Sequence, residues 1–222
     1  MCGRYAIKKS SLLNANNIVK KNINVVLEQD NFNCSPGTKL PIIKSATNGK
    51  YLEQNIWGLK APWAKEEYKR LHNARLEGID QKVTFKKLII NSRSVTPCSG
   101  YYEWKKTNEK KIPYYFTRTD DQDIFFAGIH DNGQFCIITQ EASTNVSEVH
   151  HRQPVIIGKS QINNYLNLNN DAVDFLRNIK PPELKFHEIS RKINVPTNND
   201  PSLIKKIYGK NLIKERHRHR YE

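Results

Sequence analysis

Hydrophobic positions change rhythm several times along this chain, and each change predicts an element. Cys2 to Ile7 alternates like a strand, and beyond a helix cap at Ser10-Ser11 the residues Leu12, Leu13, Ile18 and Val19 recur at roughly helical spacing. Phe32 to Gly37 is rich in turn residues and predicts a loop, with a short strand at Leu40 to Ile43 after it. Asn48-Gly49 is a hairpin signal, so Tyr51 to Gly58 is the returning strand. Gly58 and Pro62 forbid a helix interior between Trp57 and Trp63, which leaves two large aromatics on a loop. Val83 to Ile90 predicts an amphipathic helix carrying Phe85, Leu88 and Ile89 on its apolar face. Arg93 to Lys105 is β-rich and interrupted by a turn. Tyr114 to Thr117, Ile124 to Ile129 and Phe135 to Thr139 are strands separated by Asp-rich or Asn-Gly turns, and predict a run of antiparallel sheet. Ile162 to Leu166 and Ala172 to Ile179 are two short helices ended by Pro181-Pro182, and Phe186 to Ser190 is a late strand.

These elements make an α+β chain: a single domain dominated by antiparallel strands, with a few short helices. A length of 222 residues suits one substantial domain. No window approaches the roughly 18 apolar residues of a membrane span, and Lys8-Lys9 follow the start with no apolar stretch, so no membrane partner and an intracellular location are expected. Cys2, Cys34, Cys98 and Cys136 lie far apart with no C-x-x-C pair, so free thiols, no metal and no cofactor are expected. Charge changes the picture more. Against 22 acidic residues stand 36 Lys and Arg, a net +14, which points to a polyanionic partner and first of all to nucleic acid. The tail from Lys205 ends Arg216-His217-Arg218-His219-Arg220 and reads as a solvated basic terminus.

Candidate chemistry sits in separated segments that pair small turn residues with titratable or amide side chains. They are Cys2-Gly3-Arg4-Tyr5, Asn73-Ala74-Arg75-Leu76-Glu77, Ser99-Gly100-Tyr101-Tyr102-Glu103-Trp104 and His150-His151-Arg152-Gln153-Pro154. Each has an ordinary structural reading alone: a surface Glu, an Asn helix cap, a solvated His. Taken in order, together with the Asn33 to Pro36 loop, Trp57-Gly58-Leu59 with Pro62-Trp63, Arg93 to Pro97, Ala127-Gly128 and Ile137-Ile138-Thr139, they resemble the SOS-response-associated peptidase (SRAP) family. Members of that family crosslink to abasic sites in single-stranded DNA. The resemblance runs from Cys2 to about Asn199 and implies a barrel-like sheet core, an SRAP-like domain at residues 1–205 and a basic tail at 206–222. Two positions depart from the usual pattern, Gln153 where His-x-Arg-Met-Pro has Met, and Cys98 where Ala is usual.

The resemblance carries over Cys2, Asn73, Glu103 and His150 as catalytic residues, and their chemistry suits the part. With Met1 removed, the Cys2 α-amine, whose reference pKa is about 7.7 to 8.0, attacks the aldehyde of an opened abasic sugar, and the thiol closes on the imine as a thiazolidine. Glu103 is the general acid/base, His150 shuttles protons, and Asn73 orients the amine or a sugar hydroxyl without adding charge. Arg4 and Arg75 are expected on phosphates, with Asn33, Pro36, Trp63 and Trp104 completing the DNA contacts, the tryptophans as stacking surfaces or, equally, as core residues. The expected partner is single-stranded DNA bearing abasic sites, bound by a monomer. Self-removal of Met1 and DNA lyase chemistry are attendant activities left open. Two other readings stand beside this one: a thiol peptidase acting on peptide bonds, and a non-catalytic single-strand DNA-binding module.

Overall fold

The computed structural model describes residues 2–22, 25–26, 28–46, 49–60 and 70–208. Trp63 and the tail from residue 209 on lie outside the described residues. Two sheets carry the fold. The strands are β1 (Arg4–Ile7), β2 (Lys21–Asn22), β3 (Asn31–Cys34), β4 (Lys39–Ala46), β5 (Gly49–Trp57), β6 (Asn73–Arg75), β7 (Arg93–Cys98), β8 (Gly100–Lys106), β9 (Lys111–Arg118), β10 (Ile124–Asp131), β11 (Gln134–Glu141), β12 (Arg152–Pro154), β13 (Ile156–Ile157) and β14 (Leu184–Glu188). Short helices α1 (Lys9–Asn16), α2 (Lys86–Asn91), α3 (Thr144–Ser147), α4 (Ile162–Leu166) and α5 (Ala172–Asn178) fill the connections. The chain is α+β with mostly antiparallel sheet.

The larger sheet closes on itself. β5 pairs with β4, β4 with β7, β7 with β10 and β10 with β11, each antiparallel. Five alternating strands cannot close a ring antiparallel throughout, because the fifth must run the same way as the first. The closing contact, Gln134 with Ile56 and Phe135 with Trp57, is accordingly parallel. Beyond Gly58 the chain leaves this ring, is pinched where Leu59 and Leu71 exchange backbone hydrogen bonds, and returns as β6, which takes up the next stretch of β11. That return sets Asn73 beside Ile137.

The smaller sheet has the order β14-β9-β8-β1-β3, so the chain changes sheets between β7 and β8 at Ser99, whose amide donates to the Ala6 carbonyl. Gly100 allows the crossing. A Cβ there would lie 2.5 Å from the Tyr115 ring and 2.6 Å from the Phe116 carbonyl oxygen. Aromatic rings join the two sheets: Tyr5 of β1 packs 5.2 Å from Trp57 and 5.9 Å from Phe126, and Tyr101 of β8 packs 5.9 Å from the same Phe126. A second, smaller cluster on the far face of β1 and β8 is covered by the turns at Arg191–Asn194 and Pro201–Ile204, which bring Ile193 and Leu203 onto Phe32 and Tyr102.

Several expectations need correction. The predicted loop at Phe32 to Gly37 begins as strand β3, because the buried Asn33 amide is satisfied by the carbonyls of Val195 and Asn198 and behaves as an interior residue. The helix expected from Val83 starts only at Lys86. Ser10-Ser11 do not cap α1, whose N-cap is Lys8; Ser11 is buried and donates to Asp123 instead. The strands β9, β10 and β11 do not form one run, since β9 joins the smaller sheet. Asn73 lies in a strand rather than at a helix start.

Candidate active site

Cys2 is joined to β1 through Gly3 and is fully buried. Asn73 at the start of β6 donates from Nδ2 to the Cys2 carbonyl oxygen at 2.8 Å, and its Oδ1 is buried with no hydrogen-bond partner among the described residues. Glu103 lies on β8, the neighbour of β1, one residue past the Arg4–Tyr102 pair in the register. Its carboxyl is buried, and burial pushes it up to about 7. The same burial, with the Glu103 carboxylate second, pushes the Cys2 thiol well above its ordinary range. The thiol is therefore neutral and acts as a nucleophile only when a base takes its proton.

His150 closes the group from the turn between α3 and β12, with Nδ1 4.0 Å from Glu103 Oε1. The distance is within ion-pair reach, but the imidazole is uncharged: burial pushes it down to about 4. Nδ1 lies 3.0 Å from the Arg152 backbone N and 3.2 Å from the Arg152 carbonyl oxygen, so Arg152 can hold the ring in either tautomer. A carboxyl poised near neutrality beside a neutral imidazole can give and take protons at physiological pH.

An ion pair between a buried arginine and an exposed glutamate, not anticipated from the sequence, fixes this corner. Arg152 makes a bidentate contact to Glu77 at 2.9 and 2.8 Å and donates to the Thr139 carbonyl at 2.8 Å. It thereby ties β12, and the His150 turn before it, to the segment that leaves β6. The available signal was the opposite charge of two residues already inside separate motifs. Gln153 plays a related part, accepting from the Ser143 amide and hydroxyl at 2.9 and 3.0 Å and so anchoring the start of α3. Cys98 is buried on β7.

The expected DNA-contacting residues are placed differently from one another. Arg4 is half-buried and donates to Asn33 Oδ1 at 2.5 Å and to the Ile193 carbonyl at 3.0 Å. Asn33 is buried, so this pair braces the backbone under the site. Arg75 is exposed on β6, two residues from Asn73 and hence on the same face of the strand. Pro36 is half-buried in the turn after β3. Trp104 is half-buried with its Nε1–H held by Asn194 Oδ1 at 2.9 Å. It faces a groove of about 640 Å³ that reaches Glu103 and His150 and is rimmed by Lys105, Lys106 and Lys111.

The two-sheet α+β fold with one ring closed gathers a buried cysteine, a near-neutral carboxyl and a neutral imidazole at its N-terminal strand. The model of the SOS response associated peptidase (SRAP) family matches residues 1–196, and the chain belongs to that family. It is 30% identical to the abasic site processing protein YoqW of Bacillus subtilis over 92% of this chain and 99% of the relative. It is 25% identical to the abasic site processing protein YedK of Escherichia coli over 79% of this chain and 84% of the relative. A crystal structure of a protein from Bacteroides thetaiotaomicron has the same fold, with a TM-score of 0.80 at 23% identity over 94% of this chain and 100% of that one. No helix among the described residues is long and apolar enough to cross a membrane.

Proposed function

We propose that this chain processes abasic sites in single-stranded DNA by capturing them covalently on Cys2 after Met1 is removed. The observation that carries the reading is the convergence of Cys2, Asn73, Glu103 and His150, drawn from four separate segments, around one buried carboxyl. The relatives named as abasic site processing proteins support the substrate class.

The chemistry balances without a cofactor. The freed Cys2 amine adds to C1′ of the open-chain sugar, and the carbinolamine loses water to give an imine; Glu103, protonated below about pH 7, supplies the proton to the departing oxygen. The Cys2 thiol then adds to the imine carbon. Its proton passes through the Glu103 carboxylate to the ring nitrogen, so the sum is aldehyde plus aminothiol giving thiazolidine plus water. Asn73, already on the Cys2 carbonyl, holds the nucleophile in place, and neutral His150 exchanges protons during ring opening. In this reading the exposed Arg75 takes a phosphate and the half-buried Trp104 receives a flanking base, while Arg4 and Asn33 support the strand beneath. A thiol peptidase acting in trans fits less well, because the Cys2 thiol is buried and raised rather than held as a thiolate.

The test is direct. Single-stranded DNA with one abasic site should give a heat-stable adduct on a denaturing gel, and Cys2→Ala should give none. The same adduct from Cys2→Ala would assign capture to a lysine and end the thiazolidine mechanism. Intact mass should show Met1 absent from the adduct-forming species.

A further inference from the structure

Tyr101 shares a strand and a face with Glu103, two residues away on β8, and the proposed chemistry gives it no part. Its side chain is fully buried, and its hydroxyl has no hydrogen-bond partner among the described residues. A buried phenol usually finds one, because an unpaired O–H has left water without compensation. The ring is not free to seek it. Tyr101 stacks on Phe116 of β9 at 4.8 Å and meets Phe126 of β10 edge-on at 5.9 Å, which holds the hydroxyl at a fixed point. That point lies among the reacting groups: after burial, Cys2 and then Glu103 are what raise the phenol well above its ordinary value. Tyr5, opposite Tyr101 in the register, also has a hydroxyl without a partner among the described residues, but the groups that raise it are Cys34, Cys98 and Cys2, with no carboxyl among them.

Cys2 supplies a need for such a donor. Its thiol donates to the Arg4 carbonyl oxygen at 3.8 Å, a contact that lasts only while the sulfur carries its proton. Closure on the imine takes that proton away. The sulfur then faces an oxygen that can only accept, in a site where burial and the Glu103 carboxylate already oppose a thiolate. A neutral donor relieves this without bringing in another charge. Tyr101 keeps its proton at working pH, so it can donate to the sulfur and cannot act as the base.

We propose that Tyr101 is a further catalytic residue of this site: its hydroxyl donates a hydrogen bond to the Cys2 sulfur while the thiol closes on the imine carbon. The inference rests on the reading that Cys2 captures an aldehyde. The thiol proton goes to the Glu103 carboxylate, the S–C bond forms as the C=N π pair moves to nitrogen, and Glu103 passes the proton on to that nitrogen. Tyr101 loses no proton, so the sum of the reaction is unchanged.

Three proteins lacking Met1 test it: wild type, Tyr101→Phe and Tyr5→Phe. Each variant deletes one hydroxyl and keeps the ring, so melting temperatures should equal that of wild type or exceed it. Two aldehydes are offered under single-turnover conditions: single-stranded DNA with one abasic site, and formaldehyde, which needs no DNA groove. Closure, read as product that resists borohydride, should slow about tenfold to a hundredfold in Tyr101→Phe, the scale of one donor removed from a developing charge, and stay within about threefold of wild type in Tyr5→Phe. Borohydride also traps the preceding imine as an amine, and in Tyr101→Phe that imine should form at the wild-type rate and accumulate. Unchanged closure in Tyr101→Phe overturns the proposal. So does equal slowing of imine formation and closure, which would make the hydroxyl structural, or equal slowing in Tyr5→Phe, which would make it one buried polar atom among several. A lower melting temperature in Tyr101→Phe would show that the hydroxyl is already engaged at rest, and overturns it too. If wild type gives no DNA adduct, the abasic-site reading fails, while closure on formaldehyde still decides the part of Tyr101.

Discussion

Glu103 and His150 sit 4.0 Å apart and carry opposite consequences for stability. The Glu103 carboxyl is raised from 4.5 to about 7 by burial, so between those values the folded chain holds a proton that the unfolded chain has released. Stability from this group is full below about pH 4.5 and falls as pH climbs through 7, by about 3 kcal/mol for a shift of this size. His150 moves from 6.5 to about 4, so the folded chain binds fewer protons in that window and stability rises with pH across it. The two slopes oppose each other below pH 6.5, and the wild-type profile alone hides both. A difference measurement separates them: unfolding free energies of Glu103→Gln and wild type from urea titrations, compared at pH 5 and pH 8, should move in the variant's favour by about 3 kcal/mol. A constant difference would mean that Glu103 titrates normally and is no general acid near neutrality. Asn73→Ala tests the third member. It deletes the 2.8 Å bond to the Cys2 carbonyl together with a buried amide oxygen that has no partner among the described residues, so stability should change by no more than about 1 kcal/mol while adduct formation slows sharply.

Single strands place these residues, and the way they do so explains what the sequence could disclose. Alternation and turn chemistry sufficed for β4, β5, β9, β10 and β11, where apolar residues crowd the strand and Gly49 or Asn132-Gly133 mark the bend. They failed for β3 and β6, which are short and carry Asn33 and Asn73, because a polar side chain satisfied inside the protein looks the same in sequence as one facing water. The site shared that limit. Its residues could be listed from motif resemblance, but the Glu77–Arg152 pair that fixes the His150 turn depends on two chain segments meeting, which no spacing reveals. Arg152→Ala leaves Glu77 facing water but loses the charged hydrogen bonds to Glu77 and Thr139, so it should lower stability by about 2 kcal/mol, and Arg152→Lys should recover only part because one ammonium cannot replace a bidentate fork. Gly100→Ala should cost a similar amount. Its methyl group would collide with a backbone carbonyl at 2.6 Å as well as the Tyr115 ring, on the strand that presents Glu103.

At the scale of the molecule, the parity of the ring and the surplus of positive charge meet at one edge. A five-strand ring needs one parallel closure, the parallel closure needs the chain to leave and return, and the return delivers Asn73 to Cys2. The β8–β9 hairpin leaves the other sheet on the same side, carrying Lys105, Lys106 and Lys111 along the groove that starts at Glu103. Strand rise is about 3.3 Å per residue, so Lys105 follows Glu103 by roughly 7 Å on the same face of β8, and Lys106 by roughly 10 Å. Under the proposed function, these lysines hold the DNA backbone while Glu103 addresses the sugar. Cys2→Ala separates binding from capture, and its affinity for intact single-stranded DNA should fall with salt on a log–log plot. Replacing the three groove lysines by Gln should flatten that slope by about 2, since each single-strand phosphate contact contributes about 0.7. An unchanged slope would place the DNA elsewhere on a chain whose net charge of +14 offers other surfaces, and would detach the groove from the site. A flatter slope with unchanged single-turnover chemistry at saturating DNA would separate the two tasks: lysines that bring the strand in, and a buried carboxyl that acts once it arrives.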